Sequence, residues 1–215
     1  MSGLSDFAQN KATDALYRGQ ALGAPATLYH ALLTCTKGAR ANSTAYALND
    51  TVAVTANDGI IHLYKVTTAG TTAAAQSTLY PGALGEAITD GTAVLTEQSA
   101  AVDAGTVVEC TGGSYARASV TASLANYAGT QAAGSTTASS GTGGQTSNNG
   151  VITFPTPTGQ WVPAGGAIWG VAVYDASSAG NMWSWAPLSA LKTSISTGDP
   201  APTIAAAALS FKLGS

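Results

Sequence analysis

Thr111-Gly112-Gly113-Ser114-Tyr115-Ala116-Arg117, continuing into Ala118 to Ala125, is the stretch on which the reading of this chain turns. The Gly-Gly pair lets the backbone reverse without a Cβ penalty. Beyond it the residues alternate: Ala116, Ala118, Val120, Ala122 and Leu124 on one side, Tyr115, Arg117, Ser119 and Thr121 on the other. A period of two belongs to a half-buried antiparallel strand. Arg117 is one of only eight basic residues. A solvated strand face is the favoured setting for it, and a charge partner is the alternative. Ser114 reads as a turn residue and not as a nucleophile.

Downstream the β signals continue. Gly129 to Gly150 is a charge-free run of Gly, Ser, Thr, Ala and Asn, which predicts a long surface loop. Its Gly144-Gln145-Thr146-Ser147 lacks the Lys that a phosphate loop requires. Val151 to Phe154 is a short strand stopped by Pro155 and Pro157. Ala167 to Tyr174 is almost wholly apolar and is expected at the centre of a sheet. Asp175 to Gly180 makes a turn, Asn181 to Ala186 returns with Met182, Trp183 and Trp185, and Ile204 to Leu213 finishes the domain. Short strands separated by Gly and Pro turns give a mainly β fold, sandwich or jelly-roll-like.

Upstream, Ser5 to Arg18 is the one convincing helix, with Ser5 or Asp6 to cap it and an Asp14/Arg18 pair in the favourable order. Its apolar stripe is rich in Ala. Docking onto its own sheet is favoured, and an arm laid on a neighbour is the alternative. Thr27 to Leu33 is a strand, with His30 on the face of Leu28 and Leu32, where a hydrogen-bonded core histidine is expected. From Ala39 the character changes to short strands between Asx and Gly turns. Thr51 to Thr55 and Ile60 to Val66 flank Asp58-Gly59, a hairpin signal. Ile60, His62, Tyr64 and Val66 share one face. The organisation inferred is a β-sandwich or jelly-roll-like parent domain, residues 1–38 plus 103–215, with one N-terminal helix and an inserted small β module, residues 39–102.

Cys35 and Cys110 flank that insertion. If its ends meet, the two cysteines come close and form a candidate disulfide or close pair. A bridge closing that loop would contribute about 4 kcal/mol. Two buried thiols are the favoured alternative in a reducing compartment.

Composition narrows the function classes. Only 9% of the 215 residues are charged, against roughly 25% in an average soluble domain. Hydrophobic residues make up 45%, with four Trp and eight Tyr, so the chain is not of disordered type. A surface so poor in charge is expected to be covered by other subunits. Net charge is −3 with no basic run, which argues against nucleic-acid partners. No apolar run approaches the ~18 residues of a membrane span. Met1 to Asp6 lacks the basic and apolar regions of a signal peptide, so synthesis in the cytoplasm is expected. Two histidines and two cysteines fit no familiar zinc site, and there is no G-x-S-x-G, H-E-x-x-H or C-x-x-C. Asp50, Asp58 and Asp90 follow no calcium-loop pattern. No cofactor, metal or catalytic residue is expected.

A series of short motifs adds to this. Leu4 to Lys11, Ala24 to Tyr29, Gly112 to Arg117, Thr146 to Asn149, Ile152 to Pro155, Trp169-Gly170-Val171, Tyr174-Asp175-Ala176, Gly180-Asn181-Met182 and Ala186-Pro187-Leu188 occur in this order. Together they resemble a family of tailed-bacteriophage virion structural proteins, tail-fibre-like or decoration-like. Tyr46 to Val52, Tyr64 to Thr71 and Thr89 to Thr92 are similar to a small β module of phage surface proteins, with Asn49 where that module has Gly. The resemblance implies a non-enzymatic virion component, assembled in the host cytoplasm. The first expectation is a capsid decoration or cement protein, and the alternative is a tail-fibre or baseplate protein. It implies other virion proteins as partners (major capsid protein or tail proteins) and a homo-oligomer, dimer or trimer. For the alternative it implies host surface glycans, with Tyr46, Tyr64 and Tyr80 as the candidate contacts.

Overall fold

The computed structural model describes residues 3–77, 80, 82 and 85–212. The chain begins with β1 (Gly3–Leu4) and α1 (Asp6–Tyr17). Ser5 caps the helix, its hydroxyl accepting from the Ala8 N–H at 3.2 Å, with Asp6 complementing the dipole in the first turn. Next comes β2 (Thr27–Cys35), half-buried at its start and buried from His30 onward. The chain then leaves this sheet for β3 (Ala45–Tyr46), β4 (Thr51–Thr55), β5 (Ile61–Thr68), β6 (Gly70–Thr71), β7 (Ala87–Asp90), β8 (Ala93–Glu97) and the short α2 (Ser99–Asp103). It returns through β9 (Ala118–Thr121), β10 (Gln145–Ser147), β11 (Ile152–Thr153), β12 (Ala167–Tyr174), β13 (Met182–Lys192), β14 (Thr203–Ile204) and β15 (Ser210–Lys212). The fold is mainly β, as expected.

Two sheets dominate. The larger has the order β1-β13-β12-β2-β9, every pair antiparallel. The smaller has the order β4-β5-β8-β7. Central β12 is buried at all eight residues, which is why it reads as a continuous apolar run. A bulge between Ile168 and Gly170 shifts its register against both neighbours. The bulge changes which parity faces which side. Trp169 joins Leu33, Ala172 and Tyr174 on one face, while Ile168 and Val171 share the other face with Leu32, Cys110, Phe154 and Trp161.

The segment 39–102 has an apolar cluster of its own, including Val52, Val54, Tyr64, Val66, Tyr80 and Leu95. It does not stand clear of the rest. Ala53, Ile61 and Leu63 from its other face pack with Leu33, Trp169 and Trp185 of the five-stranded sheet. This segment therefore supplies a second layer over one face of the larger sheet. Its two ends meet: Thr34 N–H donates to Val108 O at 2.8 Å and Cys110 N–H to Leu32 O at 2.9 Å. The outgoing chain also lies along β4, with Lys37 N–H to Thr51 O at 3.0 Å and Ala53 N–H to Gly38 O at 2.8 Å. This covers an edge that would otherwise be free to pair with another chain.

The Gly112–Ser114 turn is tighter than the sequence suggests. All three residues lie at positive φ, and a Cβ on Gly113 would sit 2.4 Å from the Gly159 backbone. Only glycine fits there. The strand it opens ends at Thr121, short of Ala125, because Ser123 to Asn126 folds into a turn. The loop predicted over 129–150 is held by its own hydroxyls and amides and ends in β10, which pairs with β15. The strand expected to end at Ala186 runs to Lys192, accommodating Pro187 opposite Gly170 beside the bulge. Of the last expected strand, Leu213 lies outside the described residues.

Candidate functional site

Among the described residues, charged side chains gather into three buried or half-buried ion-paired clusters. The first lies on the smaller sheet. The Asp58 turn and adjacent β5 bring His62 between two carboxylates: Nε2 is 3.0 Å from Asp58 Oδ2 and Nδ1 is 3.1 Å from Glu97 Oε1. The His62 side chain is 2% exposed and that of Glu97 0%, whereas Asp58 is 38% exposed. Glu97 also accepts from the Ser99 and Gly85 N–H groups, at 2.9 and 3.2 Å, and from the Ser99 hydroxyl. The bond to Glu97, followed by that to Asp58, raises the pKa of His62 against the effect of burial. Burial pushes the Glu97 carboxyl upward, but its donors outweigh this and hold it below the usual range. An imidazolium bonded at both nitrogens has no lone pair for a proton or a metal. Ser99 donates to Glu97 and not to His62, so no nucleophile–base pair forms.

The second cluster is Arg40, Asp90 and Tyr80. Arg40 Nε and Nη2 reach Asp90 at 2.7 and 3.0 Å, and both side chains are 1% exposed. Asp90 further accepts from the Tyr80 hydroxyl at 2.5 Å and the Ala73 N–H at 2.9 Å. Arg40 extends the network to Ala73 O and to Asn42. Tyr80 packs edge-on to Tyr64 at 5.1 Å, and the Tyr46 hydroxyl accepts from the Ala41 N–H at 2.8 Å. The three tyrosines expected to face a glycan are thus core residues. Tyr46 is 5% exposed and Tyr64 and Tyr80 are 0% exposed, leaving no ring face for a sugar. Asp50, Asp58 and Asp90 do not converge either: Asp50 accepts from Ala47 N–H at 2.8 Å and lies 3.8 Å from Lys37.

The third cluster lies where the chain rejoins β2, at the bridge between Leu33 and Glu109. Arg117 forks onto Glu109 with Nε and Nη2 at 3.0 and 2.8 Å, and sends Nη1 to Ala176 O and Ala179 O at 2.8 Å each. Its guanidinium lies 3.6 Å from the centroid of the Tyr174 ring. The Tyr115 hydroxyl donates to Glu109 at 2.7 Å and accepts from the Leu32 N–H at 3.0 Å. The solvated setting favoured for Arg117 is overturned, since its side chain is 7% exposed. His30 is the core histidine expected: Nδ1 is 3.1 Å from Ala118 O and Nε2 3.1 Å from the Tyr127 hydroxyl. Burial lowers its pKa.

The two cysteines are free and buried. Cys35 belongs to the apolar cluster on one face of the large sheet and Cys110 to that on the other. Cys110 lies opposite Leu32, three residues from Cys35, or roughly 10 Å along a strand. That exceeds the ~7 Å reach of a disulfide. Burial pushes both thiols up, that of Cys110 to about 12, with the Glu109 charge adding to it.

The surface carries two adjoining hollows. One of about 610 Å³ lies between the Thr55–Ile61 hairpin and β13, β14 and β15. The other, about 400 Å³, is apolar, with Leu32, Phe154, Ile168 and Ile195 at its base and Leu188 and Ile204 at its mouth. They share Val171, Leu188, Thr203 and Ile204.

Sequence reasoning missed the partners of His62, Arg40 and Arg117. One signal was present. In β8, Ala93, Leu95 and Glu97 share a face, and a carboxylate on an apolar face requires a buried partner.

A protein-family model described as podophage GP4 fiber I protein gp80 matches residues 90–212, more than half of the chain. The chain belongs to this family. No curated protein matches it. The gp80 family match starts at the last residue of β7, so it includes β8 and α2 with the whole return of the chain. It contains the Glu109–Arg117 neck, β12 and β13, and most of the walls of both hollows. β1, α1, β2, β3 to β6 and all of β7 but its last residue lie outside it. Membership makes this protein a structural component of a phage virion.

Proposed function

We propose that the protein is a non-enzymatic, fibre-type component of a podophage particle, present in several copies. In this reading residues 39–102 are a unit inserted into a parent domain of residues 1–38 and 103–215. The observation that carries it is the gp80 fibre-family match over the returning half of the chain. The geometry supports it: the strongest polar clusters neutralise themselves internally, so the side chains best suited to chemistry are engaged in holding sheets and turns together. Fibre function then rests on the exposed, charge-poor surface.

Capsid decoration is the second reading. It is favoured by that same surface, which suits close packing against many neighbours. Quantitative mass spectrometry of purified virions, with gold labelling of a tagged chain, separates the two. Copies on the scale of the tail's symmetry, with label at the tail, support the fibre role. Copies on the scale of the capsid lattice, with label over the head, overturn it in favour of decoration.

A further inference from the structure

Two unmatched features of the surface fit each other. The first is the end of α1, where Leu16 and Tyr17 are 75% and 83% exposed. Two adjacent large apolar side chains at this exposure are anomalous in a helix whose only buried residue is Ala8. The second is the apolar hollow of about 400 Å³ whose mouth is formed by Leu188, Pro202 and Ile204.

No residue of α1 lines this hollow in its own chain. α1 starts on the face of the large sheet that carries Tyr174 and Met182: Phe7 packs edge-on to Trp183 at 5.6 Å, and Ser5, Asp6 and Phe7 border one hollow with those two residues. The apolar hollow lies on the opposite face, over Leu32, Ile168 and Val171. Charge is complementary as well. Lys192 lines this hollow without an ion-pair partner among the described residues, and Asp199 lines it too. On α1, Asp14 is one turn from Tyr17 on the same side and pairs with Arg18 at 2.7 Å, an exposed pair that can exchange partners on docking.

We propose that the α1 end of one copy, Leu16 and Tyr17, docks into the Leu188–Ile204 hollow of a second copy of this chain, with Asp14 beside Lys192 and Arg18 beside Asp199. Knob and socket are different patches of one surface, so the contact is heterologous and propagates head to tail, closing a ring or extending a filament. The inference does not depend on where the particle carries the protein.

Complementation tests it. Sedimentation velocity of the full chain over a concentration series is expected to show self-association. The knob variant Leu16→Asp/Tyr17→Asp and the socket variant Leu188→Arg should each weaken it at least about tenfold. Mixed in equal amounts, they should recover a heterodimer and nothing larger, because each supplies the half the other lacks. Lys192→Glu, an exposed change that leaves the core untouched, should weaken association and be rescued by Asp14→Lys. A wild-type chain that is monomeric throughout overturns the proposal. So do knob variants that assemble like wild type, and a mixture that stays monomeric while both variants keep wild-type circular dichroism.

Discussion

Replacing His62 by Phe tests the structural assignment most severely. The substitution keeps the apolar volume of the site and removes the cation between Asp58 and Glu97. The two contacts differ in worth. Asp58 is 38% exposed, so its contact contributes under ~1 kcal/mol. Glu97 is fully enclosed, with its carboxylate 3.1 Å from the ring. At an effective dielectric near 20 that attraction is about 5 kcal/mol before desolvation is subtracted. Leaving such a charge without its counter-ion costs about 3–5 kcal/mol, a large share of the ~5–15 kcal/mol that holds a domain. Urea unfolding followed by far-ultraviolet circular dichroism should show this loss. His62→Phe combined with Glu97→Gln should recover part of it, because the stranded charge is then gone. The pH dependence carries a definite sign. His62 is raised above its ordinary 6.5, so its contribution is complete below about 6.5 and disappears as pH rises through the folded value. Glu97 is lowered from 4.5, so its contribution is complete above about 4.5 and disappears as pH falls through the folded value. Wild-type stability should therefore plateau between those limits and decline on both sides, and the variant should lack the alkaline decline. A loss under ~1 kcal/mol with an unchanged pH profile would refute the assignment of a buried imidazolium.

Other expectations follow from single positions. Gly113→Ala, forcing a Cβ against the Gly159 backbone at positive φ, should cost about 1–3 kcal/mol in thermal unfolding. Arg117→Ala should cost about 2 kcal/mol and speed amide exchange in the Ala176–Ala179 turn, and Arg117→Lys should not restore the forked geometry. Tyr64→Ala, in the centre of a packed cluster, should destabilise the fold by about 3–5 kcal/mol. A selective loss of sugar binding with stability intact would contradict its burial. Neither Cys35 nor Cys110 should react with a thiol reagent in the native protein, and both should react in urea. Mass spectrometry should find neither oxidised to a bridge.

Local patterns were the legible part of this fold. Thr51–Thr55 and Ala167–Tyr174 form strands with the predicted limits, because alternation or unbroken apolarity states their environment outright. Ser5 caps α1 because its hydroxyl faces the N–H of a residue three positions on. The change of character near Ala39 lies just past the point where the chain leaves the larger sheet after β2. What stayed hidden depends on long-range pairing. Arg117 and Glu109 are near in sequence, yet the Ala176–Ala179 carbonyls that complete the site become its neighbours only once β12 has crossed β2. The tyrosines illustrate a different limit. Tyr64 alternates with His62 and Val66, a pattern that marks burial and so argues against an aromatic sugar contact. Cys35 and Cys110, expected as a close pair, belong to different apolar clusters on the two faces of the larger sheet. Which face each side chain takes is decided by register, and sequence spacing does not carry that information.

The closed neck has a mechanical consequence. The segments on either side of the insertion are joined by Thr34 N–H to Val108 O and Cys110 N–H to Leu32 O, and by Tyr115, which bonds both Leu32 and Glu109. Tension applied along β2 passes across these bonds directly into the strand leading to Arg117. The layer that packs Ala53, Ile61 and Leu63 on the main sheet then lies outside the load path. A virion protein built this way can be pulled without unfolding the layer packed on its main sheet, until these bonds themselves shear.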